Sequence, residues 1–153
     1  MYGRLAVSTF LVLAMGGAGH AWADQTLVMH HAFEGVDDFT DSVTGVSDEP
    51  YGDANVIWDD DRGSYVLSLD GDGDYVGCGD KWTGLVESAI TVAAWIRTDS
   101  LGSYDTVVAL GYAWRLCGGN TGNLRFQCMD TTPSGSMATG STSVNDGQWH
   151  HLA

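Results

Sequence analysis

Basic residues are scarce in this 153-residue sequence, which has 6 Lys and Arg against 20 Asp and Glu. The formal net charge is −14 at pH 7. This excess of negative charge repels phosphate, and no stripe of basic residues opposes it, so the composition excludes nucleic acid as a partner. An acidic surface has two ordinary roles, and both stay open here: it keeps a protein soluble, or it supplies oxygen ligands for calcium.

Long hydrophobic runs are also lacking. The apolar stretch from Leu5 to Met15, about 11 residues, falls short of the roughly 20 that a transmembrane helix needs. It follows a short positive start and precedes small residues that end in Ala21-Trp22-Ala23. This layout is typical of a secretory signal peptide over residues 1–23, cleaved before Asp24. We expect a mature chain of 153 − 23 = 130 residues with charge 5 − 20 = −15, secreted to the periplasm, the cell surface or the extracellular space.

No segment shows a sustained helical period, whereas Gly is abundant with 21 residues. Short apolar segments separated by Gly and Asp turns predict an all-β fold, an antiparallel β-sandwich of the jelly-roll type in one domain, residues 24–153. The segment Ala89 to Thr98 alternates most clearly, with one apolar face and a second face that carries Trp95 and Arg97. That second face is predicted to be exposed to solvent or to face a ligand. Residues 34–53 have the composition of a long surface loop.

Only three cysteines are present, so one must be left over if two pair in an oxidising compartment. Cys117 and Cys128 flank a cluster of turn formers, residues 118–123, which predicts a β-hairpin. A register that places the two sulfurs directly opposite would permit a disulfide, whereas a diagonal register would forbid it. We predict the Cys117–Cys128 disulfide and expect Cys78 to be free or paired with a missing portion of the domain.

Three segments in order carry a family resemblance: Ser68 to Val76, Ala89 to Arg97 and Asp146 to Ala153. Together they resemble the laminin G-like jelly-roll domain of the concanavalin A-like lectin/glucanase superfamily. Val28 to Asp41 is similar to the opening strand of that family and the Asp-containing loop after it. The resemblance implies a sandwich that is incomplete at the C-terminus, because the sequence ends inside the strand that begins near Gly147.

The resemblance also implies calcium near the first loop, with Asp41 as the candidate ligand. The alternative is that Asp41 caps its own backbone. The turn from Asp70 to Asp74 is not an EF-hand, because Tyr75 and Lys81 stand where that loop needs Gly and Glu. A tight turn and a nonstandard calcium loop both stay open for it. His30-His31 and His150-His151 are adjacent pairs in strands, whose side chains point to opposite faces, so we predict structural roles rather than a zinc site.

Catalytic signatures are missing, although the superfamily includes glycoside hydrolases. Glu occurs only at positions 34, 49 and 87, outside any Glu-x-Asp-x-x-Glu arrangement, and no Gly-x-Ser-x-Gly segment is present. We therefore predict no enzyme activity. The predicted role is a secreted recognition or adhesion module that binds carbohydrate or an extracellular protein. The alternatives are a structural spacer in a larger surface protein or, with less support, a glycoside hydrolase fragment.

Aromatic side chains are the candidate ligand-binding residues, because exposed rings stack on sugars. The leading candidates are Trp58, Trp82 and Tyr104, and Tyr112 and Trp114 are further members of the same group. For each of them the alternative is a place in the core.

Overall fold

A computed structural model of the chain describes residues 5–15, 25–81, 89–128 and 136–153. These residues form antiparallel β-strands joined by turns and loops, and no helix occurs among them. The all-β prediction is therefore confirmed, with the antiparallel sheets expected of a β-sandwich. In the described segments no helix is long and apolar enough to cross a membrane. The chain divides into two compact units, residues 97–148 and residues 2–96 with 149–153.

The described residues of the unit 2–96 and 149–153 form ten strands. They are β1 (Leu5–Met15), β2 (Gln25–His31), β3 (Thr40–Asp41), β4 (Val46–Ser47), β5 (Glu49–Tyr51), β6 (Asn55–Asp59), β7 (Ser64–Leu69), β8 (Tyr75–Gly77), β9 (Ala89–Thr98) and β14 (Trp149–Leu152). The main sheet has the order β14-β9-β1-β2-β3-β4, with β7 on β1 and β6 on β7, and β5 pairs with β8. Three of these strands, β3 to β5, lie in the stretch predicted to be a loop. They have only two or three residues each, too few to show a period of two.

Strand β9 confirms the predicted alternation. Val92, Ala94 and Ile96 are buried, at 6%, 2% and 0% exposure, whereas the residues between them are half-exposed. Each fully buried aliphatic side chain contributes roughly 1.5–3 kcal/mol to folding. Strands β2, β6 and β7 also bury apolar side chains, including Val28, Met29, Val56, Val66 and Leu67. The inward face of β9 thus anchors the sheet, and the outward face is left for polar and aromatic groups.

Strand β1 coincides with the apolar part of the predicted signal peptide. Its backbone pairs antiparallel with β2, from Phe10 opposite His31 to Met15 opposite Gln25, and with β7, where Leu5 faces Leu69. A short apolar run suits a buried strand as well as a signal sequence. The predicted cleavage residues Ala21 to Ala23 lie outside the described residues, and the signal peptide stays a prediction.

The unit of residues 97–148 contains a four-stranded antiparallel sheet. Its strands, in spatial as in sequence order, are β10 (Thr106–Leu110), β11 (Trp114–Gly118), β12 (Asn123–Cys128) and β13 (Ser136–Ser143). The predicted hairpin is confirmed between β11 and β12. Strand β13 was not predicted, because it consists mainly of small polar residues, and all of its residues are exposed, so it lacks a buried apolar face.

The register of this hairpin shows that the predicted disulfide is wrong. Cys117 lies opposite Arg125, and Cys128 lies opposite Trp114. Three residues of strand, roughly 10 Å, separate Cys128 from the position opposite Cys117, more than the roughly 7 Å between Cα atoms that a disulfide spans. All three cysteines, Cys78 included, are free thiols.

Candidate functional site

Asp41 lies on β3 with no exposed surface, and its carboxylate is surrounded by donors. Oδ1 accepts from the backbone amides of His30 at 3.0 Å and Val43 at 3.1 Å. Oδ2 accepts from the Thr44 hydroxyl at 2.9 Å. Burial alone would raise the pKa of Asp41, but these hydrogen bonds, with one from Lys81, outweigh burial and lower it. The arrangement is that of an aspartate that organises its own loop.

The Lys81 ammonium group bridges this carboxylate and a second one. Its Nζ lies 3.2 Å from Oδ2 of Asp41 and 2.6 Å from Oδ2 of Asp48. Burial works to lower the pKa of Lys81, but the hydrogen bonds and charges of the two carboxylates outweigh it and raise the pKa. Lys81 thus supplies the positive charge that a metal ion would supply at this loop. Calcium ligation by Asp41 would require the displacement of this ammonium group.

His31 and Cys78 adjoin the same carboxylate. The Nε2 atom of His31 lies 2.9 Å from Oδ2 of Asp48, and His31, Asp48 and Cys78 offer ligand atoms within 4.8 Å of one another. Burial lowers the pKa of His31, although the charges of Asp48 and Asp41 oppose the shift. Burial, assisted by the charge of Asp48, raises the pKa of the Cys78 thiol to about 12. Both groups are therefore held neutral at pH 7, in a network that already includes Lys81.

The neighbouring His30 points the other way, as adjacency in a strand requires. Its Nδ1 lies 2.7 Å from the Ser42 hydroxyl on the exposed side of β2. The two rings cannot share an ion, in agreement with the prediction. The grouping of His31, Asp48 and Cys78 was missed because these residues are far apart in sequence and follow no ligand spacing.

A second group of carboxylates lies at the turn between β7 and β8. Ligand oxygens of Asp53, Asp70 and Asp74 lie within 4.8 Å of one another. The Asp74 carboxylate accepts from the amides of Asp70 at 2.6 Å and Asp53 at 3.1 Å, and Asp70 accepts from the amide of Asp72 at 2.8 Å. Gly71 and Gly73 adopt φ of 84° and 87°. These bonds are those of the predicted tight turn.

The closeness of these carboxylates shifts the pKa values of two of them in opposite directions. A hydrogen bond with the Asp74 side chain, together with the charges of Asp70 and Asp74, raises the pKa of Asp53. The Asp70 amide, aided by Asp53, lowers the pKa of Asp74 despite some burial. Beside the turn, the rings of Tyr51 and Tyr75 stack with centroids 4.5 Å apart. These exposed and half-exposed carboxylates converge, and no salt bridge to them occurs among the described residues.

Trp58, a predicted ligand-binding residue, lies on β6 and is 54% exposed. Its Nε1 donates to Oδ1 of Asp60 at 2.9 Å, and the Tyr65 ring meets it edge-on with centroids 5.3 Å apart. These two contacts fix the indole while one face stays accessible. Trp82, the second candidate, lies outside the described residues.

The outward face of β9 carries an aromatic cluster that the sequence indicated only in part. The Arg62 guanidinium carbon lies 4.1 Å from the centre of the Trp95 ring and 5.6 Å from that of Trp149. His151 adjoins Trp95 with centroids 5.1 Å apart, and Arg62 Nε donates to the Ser8 hydroxyl at 3.1 Å. Arg62 was missed because it comes from the turn after β6, not from β9 itself.

Tyr104, the third candidate, lies before β10 and is 52% exposed. Two guanidinium groups face its ring, with the Cζ of Arg125 at 4.3 Å and that of Arg115 at 4.5 Å. Tyr112 is 90% exposed with no ring partner recorded in the described residues, and Trp114 is buried at 4% and stacks on Phe126. Trp114 is therefore a core residue, the alternative that the sequence left open.

Residues 70–153 match the family model Laminin_G_3, described as the concanavalin A-like lectin/glucanases superfamily. The chain belongs to this family. No curated protein and no solved structure matches it. The Laminin_G_3 match includes the β9 segment, the Tyr104 cluster and the final strand β14. Membership identifies the chain as a β-sandwich module for binding carbohydrate or another ligand.

Proposed function

We propose that this Laminin_G_3 chain is a secreted, non-catalytic recognition module that binds carbohydrate through exposed aromatic rings. The observation that carries the proposal is the Trp58 indole, half-exposed yet held by Asp60 and Tyr65. A fixed ring offers stacking surface to a sugar without a large cost in side-chain entropy. The exposed Asp60 and Asp61 next to it supply acceptors for sugar hydroxyl groups.

The non-catalytic part of the proposal rests on the state of the carboxylates. A glycoside hydrolase needs two carboxyl groups across a sugar, one of them free to act as base or nucleophile. In the described residues, Asp41 and Asp48 share the Lys81 ammonium group as their ion-pair partner, and Asp74 is engaged with backbone amides. Glu49 accepts from the Tyr51 hydroxyl at 3.2 Å. These contacts favour binding over hydrolysis.

We place the calcium part of the proposal at Asp53, Asp70 and Asp74 rather than at Asp41. The three carboxylates are hard oxygen ligands of the kind calcium takes, and their mutual repulsion would be relieved by a divalent cation. Asp41, in contrast, already has Lys81 as its cation. Backbone carbonyls and water would complete the six to eight oxygens that calcium usually takes.

A glycan array on the full chain, followed by calorimetry on the best ligand, tests this function. Trp58→Ala should weaken binding by about tenfold, the scale of one aromatic contact, whereas Trp58→Phe should retain most of it. Ile57→Ala is the matched control, because Ile57 is an exposed neighbour on the same strand at 41% exposure. EDTA should lower affinity, and Asp74→Asn should abolish that sensitivity. A blank array for the folded chain would overturn the proposal and favour the spacer alternative.

A further inference from the structure

We propose that Tyr104, Arg115 and Arg125 form a subsite for the carboxylate group of an acidic sugar. The inference rests on the proposed carbohydrate recognition and names the ligand class for a second aromatic position. All three residues belong to the unit of residues 97–148. Arg115 on β11 and Arg125 on β12 share one face of the hairpin, because Arg115 is opposite Gln127 and Cys117 is opposite Arg125.

Arg125 is a buried cation whose hydrogen-bond partners among the described residues are neutral. It is 8% exposed, and its Nη2 donates to the Ser103 hydroxyl at 3.0 Å and the Gly118 carbonyl at 3.2 Å. Its Nη1 contacts the Met137 sulfur at 3.6 Å. Its Nε is buried with no hydrogen-bond partner in the described residues. A guanidinium group taken out of water is costly unless an anion compensates it, so this arrangement favours an anionic ligand.

Arg115, the more accessible of the two arginines, also has a neutral hydrogen-bond partner. Its Nε and Nη2 both donate to the single Oε1 atom of Gln127, at 3.1 and 2.9 Å. Within the described parts of the chain, neither Arg115 nor Arg125 forms a salt bridge. The carboxylate of Asp105, close by in sequence, accepts instead from the Gly102 amide at 2.6 Å. Two of the six basic residues of an acidic chain thus converge with no salt-bridged acid in the part of the chain that the structure describes.

Tyr104 joins the two arginines in a strained backbone conformation. Its φ of 76° is in the left-handed region, which costs a residue with a side chain on the order of 1 kcal/mol or more. Hydrogen bonds from its amide to the Gly118 carbonyl at 3.1 Å and from the Thr106 hydroxyl to its own carbonyl at 3.0 Å hold it there. The conformation holds a half-exposed ring against both guanidinium groups, where a sugar ring can stack.

The ligand class follows from local and overall charge together. Guanidinium groups recognise carboxylates through paired hydrogen bonds, and tyrosine adds an aromatic face for the sugar ring. The net charge of −14 repels polyanions at long range, so dense sulfated chains and nucleic acids are disfavoured. A sugar with one carboxylate, such as a uronic acid residue in an otherwise neutral oligosaccharide, meets both conditions.

Calorimetry on the full chain with a neutral oligosaccharide that bears one terminal galacturonate, compared with its neutral methyl ester, tests the subsite. We expect the acid to bind at least tenfold more tightly than the ester, as expected when an ion-assisted hydrogen bond is lost. Arg115→Gln should remove this preference. The half-buried Arg115 is the first choice, and Tyr104→Gly is a second variant that relieves the positive φ while it deletes the ring. Tyr112→Ala is the matched control, an exposed tyrosine of the same unit.

The outcomes separate the two proposals. Equal binding of acid and ester, or an acid preference that Arg115→Gln leaves unchanged, would overturn the subsite. Binding of neutral sugars that depends on Trp58 would then leave the recognition function standing. No binding of any saccharide would overturn both. If inorganic sulfate bound as tightly as the uronate, the site would be an unselective anion site. That result would also contradict the assignment to an acidic sugar.

Discussion

The Nζ atom of Lys81 lies 2.6 Å from Oδ2 of Asp48, and the two side chains are only 15% and 5% exposed. This ion pair ties the segment after β8 to the loop between β4 and β5. The same ammonium group lies 3.2 Å from Oδ2 of Asp41, so a cation that belongs to the chain helps to organise the loop of Asp41.

Replacement of Lys81 by Met should therefore lower the free energy of unfolding by about 3 kcal/mol, because two buried carboxylates lose their cation. Urea denaturation monitored by tryptophan fluorescence measures the change. The double variant Lys81→Met with Asp48→Asn is the control, since it removes one of the stranded charges and should recover part of the loss. A single variant as stable as the parent chain would contradict the structural role of the pair.

The protonation of His31 predicts how stability depends on pH. Burial lowers the pKa of His31 in the folded chain below its ordinary value of 6.5, so the unfolded chain binds the proton first. The contribution of His31 to the free energy of unfolding is complete above pH 6.5. It is lost as the pH falls through the pKa of His31 in the folded chain. Asp41, whose pKa is also lowered, adds to the loss at pH values below about 4. Lys81 acts in the opposite range, because its pKa is raised and its contribution is lost only in strong alkali.

Urea midpoints measured from pH 8 to pH 5 should therefore decline for the parent chain and stay flatter for His31→Gln. His30→Gln is the matched control, because His30 is next in sequence but faces Ser42 on the other side of β2. It should keep the decline of the parent chain. A flat parent profile would contradict the assignment of a buried neutral His31.

The alternation of apolar and polar residues and the positions of turn-forming residues were enough to predict strand β9 and the β11–β12 hairpin. The alternation of β9 and the turn formers between β11 and β12 both gave the right elements. The register of that hairpin could not be predicted, because the same turn residues permit several loop lengths, and the difference decided the disulfide. The Lys81 network could not be predicted either, since Lys81 lies 33 residues from Asp48 and 40 from Asp41. Contacts of this range depend on how strands pair, which a single sequence does not display.

The three free thiols predict distinct reactivities. Cys117 has 0% exposure, and the pKa of Cys78 is raised to about 12, so neither should react quickly with a thiol reagent at pH 8. Cys128 is half-buried and should react first. In denaturant we expect three thiols per chain, counted with a chromogenic disulfide reagent. A linked peptide pair that contains Cys117 and Cys128, found by mass spectrometry without reduction, would show that the hairpin adopts another register.

A chain that begins at Asp24, as the predicted signal cleavage would leave it, should be prone to aggregation. It lacks β1, whose backbone pairs with β2, β7 and β9 in the structure, so unpaired strand edges and apolar core surface would be exposed. Size-exclusion chromatography with light scattering on residues 24–153, against the full chain as control, measures this. Suppression of aggregation by an added peptide of residues 5–15 would tie the effect to the missing strand. A soluble monomer of residues 24–153 that unfolds cooperatively would instead show that the sheet closes without β1.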